Sequence, residues 1–337
     1  MQKKPNTSLV LEIFTIVSGW ISAFFLVLFI GGFLVLTLRI DQNQPLPFIF
    51  MGAVMMFFAI KAIMDKKQNS YQENFLVALS VAGQALFVFG IFNLLPKDAK
   101  TYAFFIVSVL NIFLTIYVKE KSHRFFTSFF ATMALFYSIV PFGNLMLLTT
   151  PLLCFFVVRI FLFAKEKYNI VGYGIVVALL LNIFSISLTF GYLISTIGLK
   201  NFYDASMDHF FIKPWMINLA LGGVFLYLVF KIINFYKIKS IKTKTLIYGM
   251  AMFFIALSTA YLKSIIIPLI IITLGFFVKE RALLIIGILS LITFLSRYYY
   301  QLDKTLLEKS YILFLSGIIM IAFYLAVKKL KRGAKDA

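Results

Sequence analysis

Long apolar stretches separated by short polar breaks are the feature that most constrains this chain. A helix of about 20 apolar residues is long enough to cross the hydrocarbon layer of a bilayer. Hydrophobic residues make up 62% of the sequence and charged residues 13%, whereas soluble domains average roughly 45–50% and 25%. The stretches also lack the two-residue alternation of membrane barrel strands. The sequence therefore predicts a helical membrane protein.

The predicted fold is all-α, a polytopic bundle of about twelve transmembrane helices and not fewer than about ten. Residues 1–337 are expected to form a single integral membrane domain, with no soluble domain. The least distinct pair of spans is 245–262 and 264–278, because little more than Lys263 separates them. The predicted spans are 15–38, 46–64, 74–95, 101–118, 125–140, 145–164, 170–197, 214–233, 245–262, 264–278, 282–298 and 310–328.

The distribution of lysine and arginine predicts the orientation of the bundle. With a cytoplasmic N-terminus, 23 of the 32 basic residues fall in segments on the inner side, whereas the acidic residues divide almost evenly. An excess of Lys and Arg on the cytoplasmic side is the positive-inside pattern. Merging 245–262 with 264–278 would move the basic C-terminal tail outside, so the two are predicted as separate spans. Both termini are therefore predicted to be cytoplasmic, and the protein is expected in a membrane of the inner-membrane type.

The basic residues behind the formal net charge of +19 are expected to contact the anionic headgroups of the lipid bilayer. The bilayer is thus the predicted partner of the basic segments, and nucleic acid is not. Three inner breaks share a short charged motif, Lys-Glu-Lys at 119–121 and 165–167 and Lys-Glu-Arg at 279–281. Their irregular spacing favours coincidence over internal duplication.

Few polar side chains lie inside the predicted spans, and no span carries Asp or Glu in its central third. That argues against transport coupled through a buried carboxylate. Gln84, Asn111 and Asn182 are expected to form hydrogen bonds between helices. Arg159 is expected to extend its guanidinium group toward the inner interface. A transporter or flippase for a small or lipidic substrate would need a polar path between helices, for which these four intramembrane polar residues are the only candidates.

Candidates for catalysis are sparse in this sequence. His123 and His209 both fall in predicted loops, and His123 is expected to be solvated on the inner side. Intramembrane hydrolysis would need such a base beside a nucleophile, and a single Cys154 cannot form a cysteine metal site. No catalytic residue, cofactor or metal is therefore predicted. An enzyme acting on a lipid-linked substrate at the outer face would have to use Asp41, Asp204 or Asp208.

The outer break 297–310 is the most distinctive stretch of the chain. Its three consecutive tyrosines are typical of an interfacial aromatic belt that anchors the eleventh helix. They could also form a docking surface, because tyrosine is enriched at binding hot spots. Thr305 and Glu308 have the spacing of a capping box. The candidate docking residues are Tyr298, Tyr299, Tyr300, Asp303, Thr305 and Lys309.

The pattern Tyr-Tyr-x-Leu-Asp-x-Thr-Leu-Leu-x-Lys-Ser, from Tyr299 to Ser310, is followed by a last apolar segment and a basic tail. It resembles the C-terminal signature of a bacterial multi-spanning family catalogued as domain of unknown function 4401. The resemblance implies no established activity and supplies no catalytic residue. It implies a partner on the outer face, because members are often encoded beside a small protein named for a Gly-Asp-Tyr-x-x-Leu-x-Tyr motif.

Three functions stay open from the sequence. The first is a non-enzymatic scaffold or anchor for a small membrane or extracytoplasmic protein, bound through the docking residues. The second is the transporter or flippase, and the third is the enzyme of lipid-linked substrates.

Overall fold

The computed structural model describes residues 9–32, 44–65, 69–96, 99–139, 144–164, 168–185, 214–260 and 265–301, with 307, 308, 310, 311, 314 and 318. These residues form helices and no strand, which confirms the all-α prediction. Eleven helices have both ends within the described ranges. They are α1 (Leu9–Gly32), α2 (Pro45–Met64), α3 (Ser70–Leu94), α4 (Lys100–Tyr117), α5 (Lys121–Ile139), α6 (Asn144–Phe163), α7 (Asn169–Ser185), α8 (Pro214–Phe235), α9 (Ile241–Ala260), α10 (Ile266–Val278) and α11 (Arg281–Gln301).

The first eleven predicted spans each correspond to one of these helices. Five helices, α2, α3, α4, α8 and α9, are long and apolar enough to cross a membrane by length and composition. Their outward faces carry large apolar side chains, and Phe50 and Ile116 are each 72% exposed. Apolar surface on this scale is too extensive for a soluble monomer and is expected to meet lipid. The apolar helices therefore indicate a membrane protein.

Local sequence signals set several of the helix starts. Pro45 occupies the first turn of α2, where its fixed φ suits a helix and its missing N–H costs nothing. At the start of α3, Gln72 Oε1 accepts the backbone N–H of Asn69 at 3.2 Å. Glu120 precedes α5 and accepts the backbone N–H groups of Ser122 and His123. Such acceptors satisfy the amide groups that a helix N-terminus leaves open.

Helix α5 packs between the helices that precede it in the chain and those that follow it. Helices α1 and α2 pack on α3, and α4 and α5 form a hairpin. Helix α3 also contacts α4 and α5, while α5 packs on α7. Helix α6 contacts α7, α8 and α10, and α10 forms a hairpin with α11. The largest apolar cluster of buried residues lies among α6, α7, α8 and α10.

A line of glycines brings α2 and α3 unusually close together. An ideal Cβ added at Gly52 would lie 2.5 Å from the Phe87 backbone nitrogen and 2.6 Å from the Gly83 carbonyl oxygen. One added at Gly90 would lie 2.8 Å from the Ile49 nitrogen. Small residues that allow backbone contact are a common device for pairing membrane helices. We call Gly52, Gly83 and Gly90 the glycine seam.

Helix α10 is short and deeply buried. Its 13 residues are about 20 Å long at 1.5 Å per residue, less than the ~30 Å of bilayer hydrocarbon. Ile266, Ile267 and Ile270 are each at most 1% exposed. The two segments predicted at 245–262 and 264–278 are thus distinct helices, of which α10 is a core element surrounded by its neighbours.

Residues at the start of α7 contact residues beside two charged turns at one end of the bundle. The Arg124 guanidinium lies over the Tyr168 ring at 5.4 Å. Glu280 accepts hydrogen bonds from Tyr173 Oη at 3.2 Å and from Asn169 Nδ2 at 3.5 Å. Turn 118–120 before α5 and turn 279–280 before α11 therefore share this end.

Candidate functional site

Helix α5 carries an unusual number of buried polar side chains. Its sequence between Lys121 and Ile139 contains polar residues on most turns. From His123 to Ser138 the helix axis rises about 22 Å at 1.5 Å per residue. The polar groups thus extend over most of a hydrocarbon layer of ~30 Å. The buried polar residues of α5 are His123, Arg124, Thr127, Ser128, Thr132 and Ser138.

Hydrogen bonds join α5 to α3 and α4. Ser80 Oγ of α3 lies 3.1 Å from His123 Nε2. Thr115 Oγ1 of α4 donates to Thr127 Oγ1 at 2.9 Å and lies 2.7 Å from the Asn111 carbonyl oxygen. Helix α5, through His123 and Thr127, therefore links Ser80 of α3 to Thr115 of α4. We use the name α5 polar row for Ser80, Gln84, Asn111, Thr115, His123 and Thr127.

Three members of the α5 polar row have buried polar atoms without a hydrogen-bond partner. Gln84 is 4% exposed, and neither its Oε1 nor its Nε2 has one. The same holds for Asn111 Oδ1 and His123 Nδ1. Leaving a buried polar group unsatisfied costs about 1–3 kcal/mol. Buried polar atoms are therefore nearly always paired, with water where the protein supplies no partner.

His123 is buried, which makes the prediction of a solvated loop histidine wrong. It lies in the first turn of α5, before the predicted span 125–140, and its side chain is fully buried. The carboxylate of Glu120 caps the helix, so α5 starts ahead of His123, and the ring contacts Ser80 of α3. A neutral imidazole presents one donor and one acceptor on Nδ1 and Nε2.

The family model for a domain of unknown function (DUF4401) matches residues 8–330, nearly the whole chain. The chain belongs to this family. The match includes all eleven helices described above and the Tyr299–Ser310 motif that carried the resemblance. No curated protein and no solved structure matches the chain.

Interhelical hydrogen bonds were predicted for three amides, and the structure agrees for one. Asn182 Nδ2 donates to Met133 Sδ of α5 at 3.4 Å. Asn111 Nδ2 instead donates to the Val107 carbonyl of its own helix at 3.0 Å, and Gln84 forms no bond. The prediction was therefore wrong for Gln84 and Asn111. Asn111 and Asn182 both adjoin α5, and Gln84 lies one turn beyond Ser80 on α3.

Arg159 stands apart from these amides. Its side chain is exposed, as expected of an arginine that extends toward an interface. Its Nη1 donates to Tyr227 Oη at 3.3 Å, and its guanidinium lies 4.3 Å from the centre of the Phe163 ring. The Lys231 ammonium is 5.2 Å from the same ring. These contacts place Arg159 at an aromatic surface between α6 and α8, away from α5.

The tyrosines of the predicted docking surface lie inside a helix. Helix α11 continues to Gln301, so Tyr298, Tyr299 and Tyr300 form its last turns, where the sequence predicted a break starting at 297. Tyr299 is half-buried. Asp303, Thr305 and Lys309 lie outside the described residues. Beyond them, all six described residues are exposed: Leu307, Glu308, Ser310, Tyr311, Phe314 and Ile318.

Metal and acid chemistry has little support in the described part of the chain. Within it, no three His, Cys, Asp or Glu side chains could together hold a metal ion. Asp41, Asp204, Asp208 and His209 lie outside the described residues.

Ser80, Arg124 and Thr127 were not predicted from the sequence as site residues. A usable signal was present, because positions 123, 127, 128 and 132 carry polar residues at helical spacing. Such a stripe identifies one buried polar face.

Proposed function

We propose that this protein is a multi-pass protein of the bacterial inner membrane that passes a small polar solute along the α5 polar row. One observation carries the proposal, namely the buried Gln84 amide that has no partner on either of its polar atoms. A leucine or methionine would fill the same volume without this cost. Residues that break a local rule of stability are the ones expected at functional sites.

The chemistry of the row indicates the kind of solute. Gln84 offers donors and an acceptor, Asn111 Oδ1 an acceptor, and His123 Nδ1 one or the other. None of these groups is charged when His123 is neutral. The row therefore suits an uncharged hydrogen-bonding solute better than an ion, and its polar atoms suit a lipid tail poorly.

The proposed orientation places both termini in the cytoplasm. It is supported by the two charged turns, 118–120 and 279–280, which share one end of the bundle through the contacts of α7. The charge bias assigns both turns to the inner side. His123 then lies near the cytoplasmic end of the row, and Gln84, one turn beyond Ser80 on α3, lies farther from that end.

A cysteine-accessibility experiment tests the path without knowledge of the solute. In a Cys154→Ala background, we expect Gln84→Cys and Asn111→Cys in membranes to react with a hydrophilic, membrane-impermeant methanethiosulfonate reagent. The cysteine thiolate attacks the reagent, forming a mixed disulfide and releasing methanesulfinate, and this thiolate forms in wet surroundings and is suppressed in apolar ones. Labelling at these two positions is expected to be at least about ten-fold faster than at dry buried positions.

Matched controls exist on the same two helices. Val77 of α3 is 0% exposed and Val107 of α4 is 7% exposed, so they are buried as deeply as Gln84 and Asn111. Val77→Cys and Val107→Cys are expected to stay unlabelled. If all four cysteines react at the same slow rate, the row is dry and the transport proposal fails.

The second candidate is the scaffold or anchor, with a small membrane or extracytoplasmic protein docked at the outer end of α11. Leu307, Tyr311, Phe314 and Ile318 favour it, because they are large exposed apolar side chains, and exposed apolar surface marks interaction sites. In the sequence they come soon after the tyrosine-rich turns of α11. A partner helix could therefore lie along this face.

Replacing Tyr299 and Tyr300 by Ala tests the scaffold. Loss of a tyrosine hot spot costs at least about 2 kcal/mol, so a bound partner is expected to dissociate at least about 30-fold more readily. Proteins retained with the tagged chain in mild detergent are identified by mass spectrometry. Tyr236→Ala removes an exposed tyrosine just beyond α8 and is the control. Equal retention in both variants would exclude docking through Tyr299 and Tyr300.

A further inference from the structure

Helix α9 has a long apolar groove on its outward face. The groove has a volume of about 620 Å³ and is lined by residues on successive turns between Ile241 and Phe253. This size lies within the ~300–1,000 Å³ of small-molecule sites. Helix α9 is weakly covered by its neighbours, with 17% of its apolar stretch buried. Gly249 lies midway along the groove, and an added Cβ there would meet nothing within 4 Å.

One end of this groove is strongly basic. Lys242 itself lines it. Lys237 and Lys239 lie in the turn before α9, and Lys244 lies in its first turn. Lys237 adopts a positive φ of 49°. The sequence contains no Asp or Glu between Asp208 and Glu280. The four lysines therefore form a concentrated positive charge with no acidic residue nearby in the chain.

The length of the groove fits one leaflet of a bilayer. From Ile241 to Phe253 the helix rises about 18 Å at 1.5 Å per residue, compared with about 15 Å for half of the hydrocarbon layer. Its basic end therefore comes to headgroup level when its apolar part lies among the acyl chains. A phosphate at headgroup level would meet Lys242, and an acyl chain would pass over Gly249.

We propose that this groove binds one anionic phospholipid, with the phosphate at Lys242 and an acyl chain along Leu246, Gly249 and Phe253. The charge of the turn selects the headgroup, because each Lys or Arg near an anionic surface contributes appreciable attraction. The open space at Gly249 admits the chain. Bulk lipid would cover the same face without selecting a headgroup.

Native mass spectrometry of the purified full-length protein tests this site. Phosphatidylglycerol and phosphatidylcholine with identical acyl chains are titrated into the detergent-solubilised protein. We expect the first molecule of phosphatidylglycerol to bind at least about five-fold more tightly than phosphatidylcholine. Lys242→Gln is expected to lower the ratio of the phosphatidylglycerol affinity to the phosphatidylcholine affinity by about five-fold. Gly249→Phe is expected to weaken the first binding event for both lipids, because it fills the groove.

The control is Lys121→Gln, which removes an exposed lysine at the start of α5 and is expected to leave the preference unchanged. Helical circular dichroism and gel filtration confirm that each variant is folded. Equal binding of the two lipids by the unaltered protein would overturn the proposal. So would equal losses in Lys242→Gln and Lys121→Gln, because the attraction would then be a property of overall charge.

Discussion

Gly52→Ala is expected to force α2 and α3 apart and to lower the free energy of unfolding by about 3 kcal/mol. The new Cβ would lie 2.5 Å from the Phe87 nitrogen and 2.6 Å from the Gly83 oxygen. Both are backbone atoms, so no side chain can rotate away and a helix must move. Gly83→Ala is expected to behave alike, since its Cβ would lie 2.9 Å from the Gly52 oxygen and the Met56 nitrogen. The two effects are not expected to add, because they relieve one shared contact.

The matched control is Gly223→Ala in the middle of α8. A Cβ there meets nothing within 4 Å, and replacing a mid-helix glycine by alanine gains about 0.5–1 kcal/mol in helix propensity. The control and the Gly52 variant are thus expected to change stability in opposite directions. The measurement is unfolding by titration of sodium dodecyl sulfate into protein held in mild detergent. Stability in Gly52→Ala equal to that of the unaltered protein would show that the glycine seam is not a tight contact.

Hydropathy alone was enough to place the helices but not to pair them. The first eleven predicted spans overlap α1 to α11, because a helix that crosses lipid must be apolar over most of its length. Most of the twelfth predicted span, 310–328, lies outside the described residues. Pairing depends on which faces meet, and three glycines far apart in sequence decide it for α2 and α3. Gly52, Gly83 and Gly90 have no local pattern that distinguishes them from the glycines of open faces such as Gly223.

The polar residues of the site were recognised more readily than their surroundings. Gln84, Asn111 and Asn182 were identified because an amide is conspicuous in an apolar span. Their partners could not be predicted, since a hydrogen bond between helices depends on rotation about each axis. His123 was misplaced because charged neighbours on either side suggested a loop. Glu120 sets the start of α5 ahead of His123, and this capping role depends on local backbone geometry.

His123→Leu is expected to lower the free energy of unfolding by about 2 kcal/mol. Ser80 Oγ lies 3.1 Å from His123 Nε2, and both side chains are fully buried. Leucine fills the space of the imidazole but leaves the Ser80 hydroxyl without this partner, and a buried polar group that loses its partner costs about 1–3 kcal/mol. The measurement is again unfolding by titration of sodium dodecyl sulfate in mild detergent.

His123→Gln is the matched variant. Glutamine places a polar atom near the position of Nε2 and keeps the contact with Ser80, so its loss of stability is expected to be smaller by at least about 1 kcal/mol. Glu120 binds backbone amide groups in all three proteins, so its own contribution cancels in the comparison. Equal losses in His123→Leu and His123→Gln would show that the contact with Ser80 does not join α3 to α5 at this end of the α5 polar row.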